Sequence, residues 1–391
     1  MDKSVEKLFF ALIRFEMKGE PLGDEIKKIV TPEILVSLYK ISKKQDLSHL
    51  ICDALDKNGF LCDDTEVKKY FFKERVLAIC RYEQIKYEYD NICNVLTEEK
   101  IPFIPLKGSV LRSYYPEPWL RTSCDIDVLV HREDAKHAIE ILQNKLKYNN
   151  KGVGAHDIQL YSESGVHLEL HFSLMEAQRN DVQKKLIKQM NMVWMETELL
   201  DGYRYGLKGE FFFLYHLTHM LNHFVGGGCG IRFFLDTWII CHKVIFDKER
   251  FNAFIERTDL GKFAQAIIRT SNIWFDGLKS DVIANEIKDY ILYAGMYGDL
   301  KNRIALQKGK NKSKISYIIS RIFLPYQELK FQYPFLREHK ILLPFYQIRR
   351  WLRLLFKRKA VTASQEIKTY SQISDDESKR MARLFSELGL L

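Results

Sequence analysis

The chain has 391 residues, 46% of them hydrophobic and 28% charged, which excludes disorder as a description of the whole. Its formal net charge is +9, and no apolar run approaches the roughly eighteen residues of a membrane span, so no transmembrane segment is expected. The length exceeds the usual single-core size and predicts two or more domains. The opening stretch, MDKSVEKLFFALIRFEMKGE, has acids on both sides of a short apolar patch and no small-residue cleavage site, so it reads as an amphipathic helix and not as an export signal. Seven cysteines (Cys52, Cys62, Cys80, Cys93, Cys124, Cys229, Cys241) are odd in number, scattered and without a CxxC pair, which indicates neither a disulfide framework nor a zinc module. A cytoplasmic location is expected.

Residues 1–98 predict helices. LVSLYKISKKQDLSHLICDAL has apolar residues three and four apart, and Thr31-Pro32-Glu33 is a helix start with proline in the first turn. VKKYFFKERVLAICRYEQIKYEYDNICNVLTEEK continues as one long helix. The texture changes at IPFIPLKGS, where Ile101–Leu106 predicts a strand, Lys107-Gly108-Ser109 a tight turn, and VLRSYYPEP a short helix stopped by Pro116. RTSCDIDVLVH predicts a second strand, REDAKHAIEILQNKL an amphipathic helix, and HDIQLYSESGVHLELHFSL a hairpin turning at Glu163, Ser164 and Gly165. Helices return at KGEFFFLYHLTHMLNHFV and IRFFLDTWIICHKVI and continue to the end, with KGKNKSK as a loop.

Charge is unevenly placed. Lys301 to Ala360 holds nine Lys and seven Arg against Glu328 and Glu338, a local balance of +14 that exceeds the excess of the whole chain. This predicts either solvated basic helices or a contact surface for an anionic partner, and FYQIRRWLRLLFKRKAV admits the same two readings.

Asp125 and Asp127 are two apart on a strand, so they project from one face, where mutual repulsion calls for a cation. Magnesium, which takes one or two carboxylates plus substrate phosphates, suits these residue types. A lone Asp-x-Asp is expected by chance about once in a chain this long, but two other features join it. VHLELHFSL puts Glu169 between His167 and His171 on its polar face, and Lys107-Gly108-Ser109 leaves a strand to open a helix, where backbone N–H groups favour phosphate. These are components of metal-assisted phosphoryl chemistry.

The order of strand, Gly-Ser, short helix, Asp-hydrophobic-Asp and later acid resembles the polymerase-β-like nucleotidyltransferase superfamily. FIPLKGSVLRSYYPEPWLRTSCDIDVLV, VHLELHFSL and GIRFFLDTWII more closely resemble an uncharacterised bacterial nucleotidyltransferase family with an LKG turn and an R-x-x-x-DID strand, over about residues 75–245. The resemblance implies an α+β fold: a small mixed-sheet nucleotidyltransferase core flanked by all-helical regions. It divides the chain into an N-terminal helical region (1–98), the nucleotidyltransferase α/β core (99–205), a helical domain closing the cleft (206–300) and a basic C-terminal helical region (301–391). By the same resemblance Gly108 and Ser109 would hold the nucleotide's β- and γ-phosphates, with Lys107 near them. Asp125 and Asp127 would bind metal, and Glu169 would bind the catalytic metal and help deprotonate an acceptor hydroxyl. Two Mg²⁺ ions are expected, with Mn²⁺ as a substitute. The fifteen residues from Ser109 to Asp125 are slightly more than the common spacing.

Arg121 would hold a triphosphate or pair with the acids. Either His167 or His171, flanking Glu169, would be proton acceptor or support, or neither would take part. His216, His219 and His223, at helical spacing, would form a metal face, line the cleft, or pack between helices, and Arg232 would reach the cleft or pair with Asp236 one turn on. The expected activity is transfer of a nucleoside monophosphate from a triphosphate (ATP among the candidates) to a hydroxyl of a protein, RNA or small molecule. The alternatives are a DxD nucleotide-sugar glycosyltransferase, which would want an alternating strand and helix domain before the acids, and an inactive nucleotidyltransferase fold serving binding or regulation.

Overall fold

The computed structural model describes residues 3–61, 65–175, 181–292, 294–296, 298–310, 319, 322–326, 329–330, 333–356, 366 and 368–391. Helices α1 (Lys3–Lys18), α2 (Asp24–Lys27), α3 (Pro32–Lys44), α4 (Ser48–Lys57) and the 33-residue α5 (Glu66–Glu98) come first. Thr31 and Thr65 cap α3 and α5, their hydroxyls accepting the N–H groups of Ile34 and Lys68. Before the first strand the described residues form helices only, not the strand and helix alternation that a glycosyltransferase nucleotide domain would require.

A mixed sheet of seven strands follows. It comprises β1 (Phe103–Pro105), β2 (Asp125–Val130), β3 (Asn149–Val153), β4 (Asp157–Tyr161), β5 (His167–His171), β6 (Thr197–Asp201) and β7 (Arg204–Leu207), in the spatial order β3-β4-β5-β2-β1-β7-β6. Interposed are α6 (Gly108–Leu111), α7 (Ala135–Leu146) and α8 (Asp181–Met190). β2 and β5 run parallel at the centre, and β4 returns antiparallel beside β5 as the predicted hairpin. β3, β6 and β7 lie beyond the sequence expectation: β3 and β6 are exposed edge strands, β7 beside β6 is half-buried throughout, and none of the three shows the buried alternation of the central strands.

The two faces of the sheet join different cores. Ile126, Val128, Val130, Leu168 and Leu170 pack with α5 and α7. On the opposite face Ile104, Leu106 and Leu129 join the large core shared by the N-terminal helices and α9 (Gly209–Val225), α10 (Ile231–Lys243), α11 (Lys248–Thr258), α12 (Gly261–Phe275) and α13 (Val282–Leu292). Beyond these come α14 (Leu300–Lys310), α15 (Leu343–Phe356) and α16 (Asp375–Glu387), the last adding Met381, Leu384 and Phe385 to that core. The architecture is α+β, a central sheet with helical regions at both ends.

Two local expectations change. KGKNKSK is not a loop throughout, since α14 extends to Lys310, and residues 311–314 lie outside the described set. Of the basic amphipathic segment, α15 is described while residues 357–361 are not. Its cations are partly used in packing: Arg349 lies over the Tyr333 and Tyr346 rings and Arg350 donates to the Ile322 carbonyl. Among the described residues no helix is long and apolar enough to cross a membrane.

Candidate active site

The pairing of β2 with β5 builds the site. Asp125 stands opposite His167, Asp127 opposite Glu169, and Leu129 opposite His171. Because side chains alternate, both aspartates, Glu169 and both histidines share one face while Ile126, Leu168 and Leu170 between them hold the strands in the core. Two sets of donors result, Asp125–His167–Glu169 and Asp127–Glu169–His171, each with its donor atoms within 4.8 Å of one another.

Lys107 enters from the turn after β1. Its Nζ donates to Asp127 Oδ1 at 2.6 Å and lies 3.9 Å from Glu169 Oε2. His171 Nε2 approaches the same Asp127 oxygen at 2.9 Å and lies 3.5 Å from Glu169 Oε2. The Lys107 backbone has φ of +44°, a strained conformation for a residue with a side chain that costs on the order of 1–3 kcal/mol.

These contacts separate the carboxylates electrostatically. Burial would raise the Asp127 pKa, but Lys107 and His171 outweigh it and hold Asp127 well below the usual carboxylate range. Asp125 moves the other way, raised by burial and by the negative charge of Asp127. Glu169 is lowered, chiefly by its hydrogen bond with His171. Burial disfavours charge on His171 and Lys107, yet the carboxylates beside them prevail and raise both.

Gly108 opens α6 and is buried; a Cβ there would lie 3.2 Å from Arg121 Nη1 and 3.3 Å from Ser123 Cβ. Close packing of the turn against its neighbours thus gives the glycine a structural reason of its own. The Ser109 N–H is already donated to the Leu106 carbonyl at 3.1 Å. Phosphate at this turn would therefore be met by the Gly108 N–H, the Ser109 hydroxyl and the Lys107 ammonium.

Arg121 is aimed elsewhere. Its Nε and Nη2 donate to the two carboxylate oxygens of Asp236 at 3.2 and 2.9 Å, and the Tyr115 hydroxyl donates to Asp236 Oδ1 at 2.8 Å, all three groups being buried. The expected Arg232–Asp236 pair within α10 is thereby replaced, because Asp236 is held by Arg121 and Tyr115. Arg232 instead donates to Asp46 Oδ2 at 3.0 Å and to the Thr122 carbonyl at 2.9 Å. Both arginines grip the Arg121–Cys124 segment that leads into β2.

Helix α9 supplies a wall. Tyr215 and His219 are close enough to feel the charges of Lys107 and Asp127, and His219 Nε2 lies 3.3 Å from His223 Nε2. Burial, followed by Lys107, keeps His219 well below the ordinary histidine range and so neutral. His216 turns away to Thr237 Oγ1 at 2.9 Å, and among the described residues the three histidines form no metal-binding group. Tyr215 escaped the sequence reading, although Tyr215, His219 and His223 recur every four residues on one helical face.

A family model described as uncharacterised nucleotidyltransferase matches residues 36–276, more than half of the chain. The chain belongs to this nucleotidyltransferase family. The matched span includes the whole sheet, both motif arginines and Asp236, and it reaches beyond the 75–245 expected from the motifs. No curated protein matches, and no solved structure matches. In this family member the donor chemistry suits a divalent cation: Asp125 and Glu169 converge with His167, and Asp127 and Glu169 with His171.

Proposed function

We propose that the protein is a divalent-metal-dependent nucleotidyltransferase that moves a nucleoside monophosphate from a nucleoside triphosphate to a hydroxyl group. The observation that carries this reading is the register that sets Asp127 beside Glu169, with Asp125 on the same face and Lys107 entering from the LKG turn. Family membership supports it.

Asp125, Asp127 and Glu169 would hold the metal, Mg²⁺ with Mn²⁺ able to replace it. When bound, such an ion neutralises the acids and stabilises charge on the triphosphate oxygens. Gly108, Ser109 and Lys107 orient the β- and γ-phosphates. The acceptor oxygen attacks the α-phosphorus, an O–P bond forms, the α–β phosphoanhydride breaks, and pyrophosphate leaves. Glu169 receives the acceptor proton with His171 beside it. Tyr215 and His219 line the adjoining wall. Arg121 and Arg232 serve by fixing the segment that aims β2. The acceptor belongs to a protein, an RNA or a small molecule.

The test is incubation of the protein with labelled triphosphates, Mg²⁺ and cell lysate. Metal-dependent label transfer is expected from the native chain and not from the Asp125→Asn, Asp127→Asn double variant. Equal transfer by that variant would overturn the proposal.

A further inference from the structure

We propose that α15 is a peripheral membrane contact: it lies along the surface of an anionic phospholipid bilayer, with Ile341, Phe345, Ile348 and Leu352 at the acyl boundary and the cations beside them at the headgroup phosphates. This surface is far along the chain from the acid cluster, and the proposal does not depend on the nucleotidyltransferase reading.

The two faces of α15 differ. On one, Leu343 and Tyr346 pack on a small core of Leu324, Leu329, Tyr333 and Leu336, the Gln347 amide donates to the Leu324 carbonyl at 2.6 Å, and the Trp351 indole N–H donates to the Ile322 carbonyl at 2.7 Å. These contacts fix the rotation of the helix. At about 100° per residue, Phe345, Ile348 and Leu352 fall within an arc of about 60° on the opposite side. They are 60%, 51% and 50% exposed, and Ile341, in the turn just before the helix, is 88% exposed. Four large apolar side chains facing water at spacings of four, three and four form a stripe, and such a stripe marks a contact surface.

Charge decides what covers it. From His339 to Gln365 the chain has seven Lys and Arg and no Asp or Glu. Lys340 lies over the Tyr326 ring and Arg349 over the Tyr333 and Tyr346 rings, and among the described residues neither these two nor Arg353 makes a salt bridge. Arg349 and Arg353, one helical turn apart, border the stripe. A second copy of this chain docked stripe to stripe would set like charges against each other. A nucleic acid would give the arginines phosphate but leave Ile341, Ile348 and Leu352 without an apolar partner. An anionic bilayer supplies both, phosphate headgroups for the cations and acyl chains for the stripe. The 14 residues of α15 extend about 21 Å at about 1.5 Å each, so the helix lies on the bilayer and does not cross it.

The test is co-sedimentation of the full chain with vesicles of phosphatidylcholine alone and of phosphatidylcholine mixed with phosphatidylserine. The native chain is expected to bind the mixed vesicles roughly tenfold or more tightly than the neutral ones, and raised salt is expected to weaken that binding. The Phe345→Ser, Ile348→Ser, Leu352→Ser triple variant should bind the mixed vesicles roughly tenfold or more weakly, while its circular dichroism melting stays close to native because all three side chains already face water. Arg353→Gln should weaken binding to the mixed vesicles about fivefold and leave binding to the neutral ones unchanged, and it tests the same surface if the triple variant folds poorly. No binding of the native chain to mixed vesicles, equal binding by the folded triple variant, or an Arg353→Gln chain indistinguishable from native would overturn the proposal. A native dimer in sedimentation velocity, or an RNA complex, that is lost in the triple variant and comes without vesicle binding would likewise overturn it and assign the stripe to a second copy or to nucleic acid.

Discussion

Asp236→Ala tests whether Arg121 works in the fold or at the nucleotide. In the native chain the Arg121 guanidinium and the Asp236 carboxylate are both buried and bonded through two N–H groups, and the Tyr115 hydroxyl completes the acid's shell. Truncating Asp236 strands a buried guanidinium, at a cost of about 3–5 kcal/mol, and orphans a buried hydroxyl, at about 1–3 kcal/mol. These penalties overlap, so a loss of about 4–6 kcal/mol is expected, a large share of the 5–15 kcal/mol typical of a folded domain. Urea unfolding followed by circular dichroism measures it. The Arg121→Met, Asp236→Leu double variant removes both charges and should recover at least half of the loss, because neither partner is left buried alone. A loss below about 1 kcal/mol in Asp236→Ala, or a double variant as unstable as the sum of the singles, would refute the clamp and leave Arg121 free for phosphate.

Further expectations concern other side chains. Burial pushes His216 down to about 4, so between this value and the unfolded value near 6.5 the unfolded chain binds the extra proton. Stability from this group is complete above pH 6.5 and is lost as pH falls towards 4. The native protein should lose about 2 kcal/mol more than His216→Phe between pH 7 and pH 5, measured by urea unfolding at each pH; equal losses would contradict it. Leu168→Ala, on the core face of β5 directly behind the acids, should cost about 2–5 kcal/mol in the same assay. Glu169→Gln should slow single-turnover label transfer by roughly 100-fold or more while the protein stays folded, and a change within tenfold would remove Glu169 from proton transfer.

Much of the site was legible because its signals are local. Alternation in DIDVLV and VHLELHF needs only neighbouring residues, since a strand repeats every two, and it separated the acids from the buried aliphatics before any pairing was known. The cap at Thr31 is equally short-range. The edge strands were not legible, since polar, exposed segments become strands there only by hydrogen bonding to a formed neighbour. Arg232 and Asp236 looked like partners at one helical turn, and that local energy of a few tenths of a kcal/mol yielded to a buried two-point bond from Arg121, 115 residues away.

The sequence by itself determined which strand face the acids and histidines share, because periodicity is a property of the backbone. Only the tertiary structure decided that Asp127 meets Glu169 in register, that Lys107 bends through a strained turn to reach both, and that Arg121 looks away to Asp236. Those are contests among distant partners, settled by burial, where a charge must find its counter-charge or bear the cost of leaving water.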